Sequence, residues 1–405
     1  MRILHTSDWH LNEKLKGVPR QPDIVARLTE IAAYLDEYKV DVMVVSGDVF
    51  SQSTRLDELK EAMADVNRTF TPFLLRGGTI AAISGNHDNE HFFNILRSTL
   101  DLAMPINPRG AGPRPAGRLY LAARPSVLEL ADRTGQSVQF VLLPYPTPAR
   151  YLKDENTNYR SLGDRNRLLH EKLLSRLEDM KQNYVKDHLR SVMVAHIYVR
   201  GSQVHNRYHL SESDDVIFEQ GEIPAHWDYV AYGHIHKPQA LYNDTPYIRY
   251  AGSIERFNQG ERDDEKSVVL VDIGPHGRQG EPICLPLKAT PIYRVEILHP
   301  ETDMQGLRER YPDAERALVS YRLVYKPGEH DPTRLSQELE EIFPRCYDAL
   351  IEAEGTSAFS NDFEGTAPSQ DVSGTVESYL QEKLADHSQR DAILQLAREL
   401  LATLE

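Results

Sequence analysis

Short apolar runs alternate with stretches whose apolar residues recur every three or four positions, and the alternation holds over the first hundred residues. Met1 to Ser7, Val40 to Ser46 and Thr79 to Ile83 are compact runs of strand length. Between them Ile24, Leu28, Ile31 and Leu35 fall at helical spacing after Pro22-Asp23. Leu56, Leu59, Met63 and Val66 do the same before the third run. Strand–helix–strand repetition predicts a mostly parallel sheet with right-handed crossovers. Val138 to Leu143, Val192 to Ala195 and Tyr229 to Tyr232 supply further strands, and the polar-faced stretch Leu162 to Tyr184 reads as a long helix. Tyr247 to Ala251 and Ser267 to Asp272 read as antiparallel strands closing a second sheet. The expected fold class is α/β, with two strand layers flanked by helices over residues 1–280.

Turn chemistry marks off the rest. Pro105 to Gly117 is rich in Gly and Pro and reads as a surface loop, while Gly274 to Pro286 holds three Gly and three Pro and reads as a boundary. Ile292 to Ile297, Ala317 to Tyr325, Thr333 to Ile342 and Tyr347 to Ala353 predict a small α+β capping domain over residues 287–353. Residues 355–374 are rich in Ser, Gly, Asp and Asn and read as a flexible linker. Residues 375–405 regain helical periodicity, with Ile393, Leu396, Ala397, Leu400, Leu401 and Leu404 on one stripe.

A chain of 405 residues exceeds what one core usually serves, which agrees with this division. No apolar stretch approaches the roughly 20 residues that a bilayer span needs, and the N-terminal run turns polar at Thr6-Ser7-Asp8. Cys284 and Cys346 are the only cysteines, so no disulfide framework is expected and a reducing interior is. A cytoplasmic protein with no membrane partner is the expectation. The net charge of −15 argues at first sight against a polyanionic partner. From Glu329 onward, however, 17 Asp+Glu face 5 Lys+Arg, a net of −12, which leaves −3 on residues 1–328. That balance permits local basic surfaces, as in Arg109 to Arg118 and Arg160 to Arg167, and local surfaces set the attraction to phosphates.

Five short segments carry the chemistry: Asp8-Trp9-His10, Gly47-Asp48, Gly85-Asn86-His87-Asp88, Ala195-His196 and Gly233-His234-Ile235-His236. Each sits at the end of a predicted strand, and the ends of neighbouring strands converge on one edge of a sheet. Singly, each has an ordinary explanation. Asp8 or Asp48 serves as a helix cap or turn residue, Asn86 holds a turn, and His196 is a hydrogen-bonded core histidine. Jointly, they offer carboxylate, amide-oxygen and imidazole ligands with no thiolate. That donor set suits manganese, iron or zinc in a paired hydrolytic site and not a Cys-rich structural zinc site.

In this order the five segments resemble those of the calcineurin-like metallophosphoesterase superfamily. Met1 to Leu11, Gly47-Asp48-Val49-Phe50 and Gly252-Ser253-Ile254-Glu255-Arg256 are similar, more narrowly, to the SbcD-type DNA repair exonucleases, the nuclease subunits of the SbcC–SbcD complex. The motifs span residues 1–256; the C-terminal third resembles the family in architecture alone. The resemblance implies a two-sheet sandwich followed by a capping domain and C-terminal helices. It implies one ion held by Asp8, His10, Asp48 and His236 and a second by Asp48, Asn86, His196 and His234, with Asp48 bridging. Two such ions, roughly 3.5–4 Å apart, stabilise both the attacking and leaving oxygens of a displacement. His87, beside a ligand but not needed as one, is the candidate to stabilise the leaving group or donate a proton, with Asp88 to orient it.

The remaining expectations follow from the resemblance. The cofactors are two Mn²⁺, with Fe²⁺ or Zn²⁺ as alternatives. The substrates are DNA duplex ends, single strands and hairpins, cut as a duplex 3′→5′ exonuclease and single-strand endonuclease in DNA repair and recombination. An SbcC-like coiled-coil ATPase is the partner of residues 375–405, a homodimer is the assembly, and the nucleoid is the place. One departure is Ser51, which stands where many members carry a histidine three residues after the bridging Asp. Val204 to Tyr208 mixes basic, amide and aromatic groups and reads either as a DNA-contacting loop or as plain structure. Phe92, Phe93, Leu96 and Leu100, with Leu56, Leu59 and Met63, read either as a dimer face or as core. The rival functions are another phosphodiesterase or phosphatase on the same fold, which would need no capping unit, and a non-catalytic scaffold, which would show a degenerate ligand set.

Overall fold

The computed structural model describes residues 1–52, 54–103, 112–152, 159–204, 215–223, 226–242, 244–355 and 394–396. Arg2–Thr6, Val42–Ser46, Thr79–Ile83 and Leu119–Ala122 form a parallel array in that spatial order, and Ser267–Gly274 lies antiparallel on the free side of Arg2–Thr6. A second sheet holds Ile248–Tyr250, Tyr229–Gly233, Arg190–His196 and Ser137–Leu143 in parallel, with Ser126–Ala131 antiparallel at its edge. Alternate residues of each strand face opposite ways. Ile3, Val42, Val44, Ala81 and Ile83 meet Phe140, Val192, Val194 and Ala231 between the sheets.

The other faces are covered by helices. Leu4, Met43, Val45, Ile80 and Ala82 lie beneath Gln21–Glu37 and Leu56–Leu75, whose Ile24, Leu28, Ile31, Leu35 and Leu59 are the predicted apolar stripes. Met193, Ala195, Val230 and Tyr232 pack against Leu169, Leu173, Leu177 and Met180 of Leu162–Asn183. That helix is capped by Ser161, whose hydroxyl accepts from the Asp164 amide at 3.0 Å. Strands covered on both faces need apolar residues throughout, which is why they stand out as unbroken runs.

Three features differ from the sequence expectation. Ser267–Gly274 does not close the second sheet; it joins the first, and Ile248–Tyr250 runs parallel to its neighbour in the second. Both carry buried apolar residues, and local pattern cannot say which sheet receives them. Ile283–Pro286 pairs with Ser267–Gly274, so the first sheet runs into the stretch read as a boundary beyond residue 280. Leu119–Ala122 and Ser126–Ala131, unpredicted, are edge strands whose half-exposed residues blur the apolar pattern. The predicted linker beyond Gly355, the loop from His205 to Tyr208, Arg109 of the basic stretch and the Leu56 side chain lie outside what is described. Of the predicted helical tail only Leu394–Leu396 is described, and Leu394 is buried. No helix among the described residues is long and apolar enough to cross a membrane.

Ile292–Ile297, Leu318–Tyr325 and Cys346–Ala353 form a third, smaller sheet, parallel throughout, with Pro332–Ile342 crossing between the last two strands. Leu339 and Phe343 seal its own core against Val319, Tyr321 and Leu323. The third sheet rests on the N-terminal part of the chain through Ile292, Leu318 and Tyr347, which pack on Leu15 and Val18. Arg345 adds a two-pronged pair with Asp23, at 3.0 and 2.5 Å. Deeper in, fully buried Glu255 accepts from the Thr290 amide at 2.6 Å and the Thr290 hydroxyl at 2.8 Å, and lies 3.6 Å from both Arg20 and Arg27. Arg256 donates to the carbonyls of Ala289 and Thr290 at 3.3 and 3.2 Å and to that of Asp264 at 2.8 Å. The Gly252 to Arg256 motif thus fastens the base of the third sheet.

Truncating one member of a buried ionic cluster leaves the others charged and unpaired. Glu255→Ala is expected to cost about 3–5 kcal/mol. Lys16→Met, which breaks the exposed 2.6 Å pair with Asp348, is expected to change stability by less than roughly 1 kcal/mol. Thermal and denaturant unfolding of both variants checks the contrast, and equal losses would refute it.

Candidate metal centre

The strands of both sheets deliver their chemistry at one shared edge, through turns of unusual backbone shape. Asp8, His10 and Asp48 have φ of 51°, 46° and 49°, and His234 has 96°. The left-handed region costs a non-glycine residue roughly 1–2 kcal/mol, so four such residues at one edge mark stored strain. Backbone hydrogen bonds of 3.0 Å from the amides of Asp8, His10 and Leu11 to the carbonyls of Gly47, Asp48 and Val49 lock the first two turns together. Glycine is needed for close approach here. A Cβ on Gly85 would overlap the Asp48 carboxylate, one on Gly47 the His196 ring, and one on Gly233 the Ser46 carbonyl.

The side chains converge in two adjoining groups. The ligand atoms of Asp8, His10 and His236 lie within 4.8 Å of one another, as do those of Asp8, Asp48 and His196. His10 Nε2 is 3.1 Å from His236 Nε2, and His236 Nε2 is 4.0 Å from Asp8 Oδ1. On the other side, Asn86 Oδ1 is 2.9 Å from His196 Nε2 and 3.0 Å from His234 Nδ1. Asp48 Oδ2 stands between, 3.7 Å from His10 Nε2 and 3.3 Å from His196 Nε2, while Asp48 Oδ1 accepts from the His87 amide at 2.8 Å. All seven predicted ligands are therefore brought together.

The outward hydrogen bonds of the imidazoles decide what they present inward. His196 Nδ1 donates to the Ser46 carbonyl at 2.7 Å, His236 Nδ1 to Glu261 Oε1 at 2.9 Å, and His234 Nε2 to Asp215 Oδ2 at 2.5 Å. Each then turns a lone pair inward. Two carboxylates, an amide oxygen and three such rings meet at the edge, with His10 Nε2 facing one of them and His10 Nδ1 buried with no hydrogen-bond partner among the described residues, 3.9 Å from Glu13 Oε2. Acceptors facing acceptors are satisfied by positive charge, and these residues fit divalent cations of the kind that take oxygen and imidazole ligands. In the metal-free protein protons serve instead. Burial alone would lower the pKa of His196, but the neighbouring Asp48 carboxylate holds it up to about 9. Burial likewise opposes the rise at His236, where Glu261 prevails, and it holds His10 well below the usual histidine value.

The two predicted non-ligand residues sit differently. His87 is half-buried, its ring 4.9 Å from that of His10. Asp88 does not orient it by contact. Its carboxylate accepts from the backbone amides of Phe50 and Gly85, both at 2.8 Å, and so pins the turn that carries Asn86 and His87 to the Asp48 loop. Burial and the nearby Asp48 push its pKa up to about 6. Ser51 is buried and donates to Glu13 at 2.7 Å. Sequence reasoning missed Asp215, Glu261 and Lys266, the buried charges behind the histidines. No spacing or local motif sets them apart from other charged residues.

Residues 1–238 match the family described as Calcineurin-like phosphoesterase. The chain is 28% identical over 285 residues to the SbcD component of the nuclease SbcCD from Bacillus subtilis (strain 168), an alignment covering 68% of this chain and 67% of that protein. It is 26% identical over 309 residues to the protein of the same name from Staphylococcus epidermidis, covering 74% of this chain and 72% of the relative. Among solved structures, a dimetal phosphatase from Danio rerio aligns at 12% identity over 71% of this chain and 99% of its own, with a TM-score of 0.37.

Because the Asp48 carboxylate raises the pKa of His196, a cation taken up by this cluster is expected to displace the proton from it. Mn²⁺ uptake at about pH 7.5 is expected to release protons, and affinity to rise with pH by up to ~10-fold per unit until about pH 9. Titration calorimetry in buffers of different ionisation enthalpy measures the release. Uptake with no proton released would contradict this electrostatic picture.

Proposed function

Because the chain belongs to the calcineurin-like phosphoesterase family, we propose that it is a metal-dependent DNA nuclease of the type its relatives are named for, the SbcD component of SbcCD. Phosphodiester hydrolysis with divalent metal is the chemistry of the reading. The observation that carries it is the convergence of seven side chains of a kind that can ligate metal, from five strand ends, on one edge of the sandwich. We assign Asp8, His10, Asp48 and His236 to one ion and Asp48, Asn86, His196 and His234 to the other. Bound there, two Mn²⁺ (Fe²⁺ or Zn²⁺ being the alternatives) would offset the negative charge of a phosphodiester and activate water.

The chain's own groups do the positioning. Asp48 is shared because one oxygen lies between His10 and His196 while the other is held by the His87 amide. That hold stops the carboxylate rotating away from either side. His87, half-buried and beside His10, is assigned to the leaving oxygen, where its ring stabilises charge or donates a proton. Asp88 keeps His87 and Asn86 in place through the turn. The proposed substrates are DNA duplex ends, which the protein digests 3′→5′, and single strands and hairpins, which it nicks. Residues 287–353 serve as the capping domain.

Two assembly surfaces belong to the proposal. Of the residues read as dimer face or core, Phe93 and Leu59 are buried in the core and Phe92 and Met63 pack against it. On the helix Glu90–Ala103, however, Ile95 and Leu102 are 65% and 84% exposed, which supports the helix through that other face as the homodimer surface. Residues 375–405, with their apolar stripe, are assigned to an SbcC-like coiled-coil ATPase by the helix-in-groove mode. The proposed place of work, following from a DNA substrate, is the cytoplasm at the nucleoid.

The purified chain is expected to degrade end-labelled duplex DNA with Mn²⁺ and to stop when the metal is chelated. His87→Ala should slow cutting by about 10²–10⁴-fold with metal content unchanged. Activity that survives chelation would refute the proposal, and metal lost in step with rate would make His87 a ligand. Deleting the residues after Gly355 should spare cutting of simple DNA and abolish co-purification with the ATPase. A truncated chain that still captures the ATPase would move the docking surface elsewhere.

A further inference from the structure

Two of the histidines at the centre, His234 and His236, are each backed by a buried carboxylate, and the two carboxylates belong to separate networks. Glu261, which meets His236 Nδ1, is fully buried, and its Oε2 accepts from Lys266 Nζ at 2.7 Å and from the Ser253 hydroxyl at 3.2 Å. Lys266 is itself only 1% exposed and also donates to the His236 carbonyl at 2.9 Å, the Ser253 hydroxyl at 2.8 Å and Asp264 at 3.1 Å. Asp215, which meets His234 Nε2, is also buried, and its Oδ1 accepts from the Tyr145 hydroxyl and the Val216 amide, both at 2.7 Å. None of these partners is common to both carboxylates.

A carboxylate behind a ligating imidazole fixes its tautomer and ring angle and makes the inward nitrogen a stronger donor to metal. We propose that Glu261 and Asp215 are positioning residues that set the affinities of two ions independently. Glu261, with Lys266 as its counter-charge, governs the ion assigned to Asp8, His10, Asp48 and His236. Asp215, with Tyr145, governs the ion assigned to Asp48, Asn86, His196 and His234. The inference rests on the two-ion reading above and adds to it a separate control for each ion. It also gives Lys266 a task. The Asn258 side-chain amide also donates to Glu261 Oε1 at 2.6 Å, but Lys266 is the cation that meets this carboxylate from behind the histidine, and its ammonium keeps it charged and oriented.

The test is metal counting on the full chain, independent of cutting. Equilibrium dialysis against Mn²⁺ alone gives the ions bound per chain and their affinities, and paramagnetic resonance reports whether two ions are coupled. Wild type is expected to bind two coupled ions. Glu261→Gln, which keeps an acceptor oxygen and removes the charge, should weaken one ion by about 10–100-fold and leave the other unchanged. Asp215→Asn should do the same to the other ion, and the double variant should weaken both. If the metal-free Glu261→Gln chain melts well below wild type, the pair Glu261→Gln with Lys266→Met removes both charges and should still lose one ion only. Glu261→Gln binding two ions at wild-type affinity, or a double variant that keeps one ion tight, would overturn the inference. A wild-type chain that binds fewer than two ions would overturn the two-ion reading itself.

Discussion

Seven groups that would rather be apart are held within a few ångströms of each other. Carboxylates, an amide oxygen and imidazole lone pairs repel one another unless a cation or a proton lies among them, so holding them together is coupled to the binding of one or the other. That constraint accounts for the features that look costly in isolation. Asp8, His10, Asp48 and His234 adopt left-handed backbone because an ordinary turn would aim them elsewhere. Gly47, Gly85 and Gly233 leave out the one atom that would push the groups apart. Asp88 is kept in the interior because its two oxygens stitch one ligand turn to the next.

The sandwich is suited to this task because its sheets are locked face to face by an apolar layer that tolerates little slippage. Parallel strands end side by side, so three turns of the first sheet arrive together without further design. The second sheet must then be set against the first closely enough for rings to interleave. Contacts across the gap show how: His196 donates to the Ser46 carbonyl, Ser46 donates to the Ala231 carbonyl at 3.2 Å, and the His234 amide lies 3.2 Å from both oxygens of Asp8. Each joins a strand, or the turn that follows it, of one sheet to the other.

The third sheet is bound into the same frame by charge rather than by a broad apolar seam. Glu255 and Arg256 hold the segment that leads into its first strand. The Asp264 carbonyl accepts from Arg256, and the Asp264 carboxylate accepts from Lys266, which also meets Glu261 behind His236. A continuous line of hydrogen bonds therefore runs from the base of the small unit to the metal edge. Buried ions of this kind contribute little net stability compared with apolar packing, and their strength lies in the geometry they impose.

Much of this was legible in the chain before it was folded. The strands covered on both faces announced themselves as apolar runs, the helices as stripes, and the proposed ligand residues as Asp, Asn and His placed at strand ends. Those signals are local, because a strand's burial and a turn's position are written within a few residues. The partition of Ser267–Gly274 and Ile248–Tyr250 between sheets was not legible, since either sheet would bury them equally well. Nor were the backing residues. Asp215 reaches His234 across 19 positions and Glu261 reaches His236 across 25. The Asp88 side chain turned to backbone amides instead of the neighbouring His87 ring. A hydrogen bond needs only proximity in space, so sequence determined which groups could bind metal, and tertiary packing alone decided which charges stand behind them.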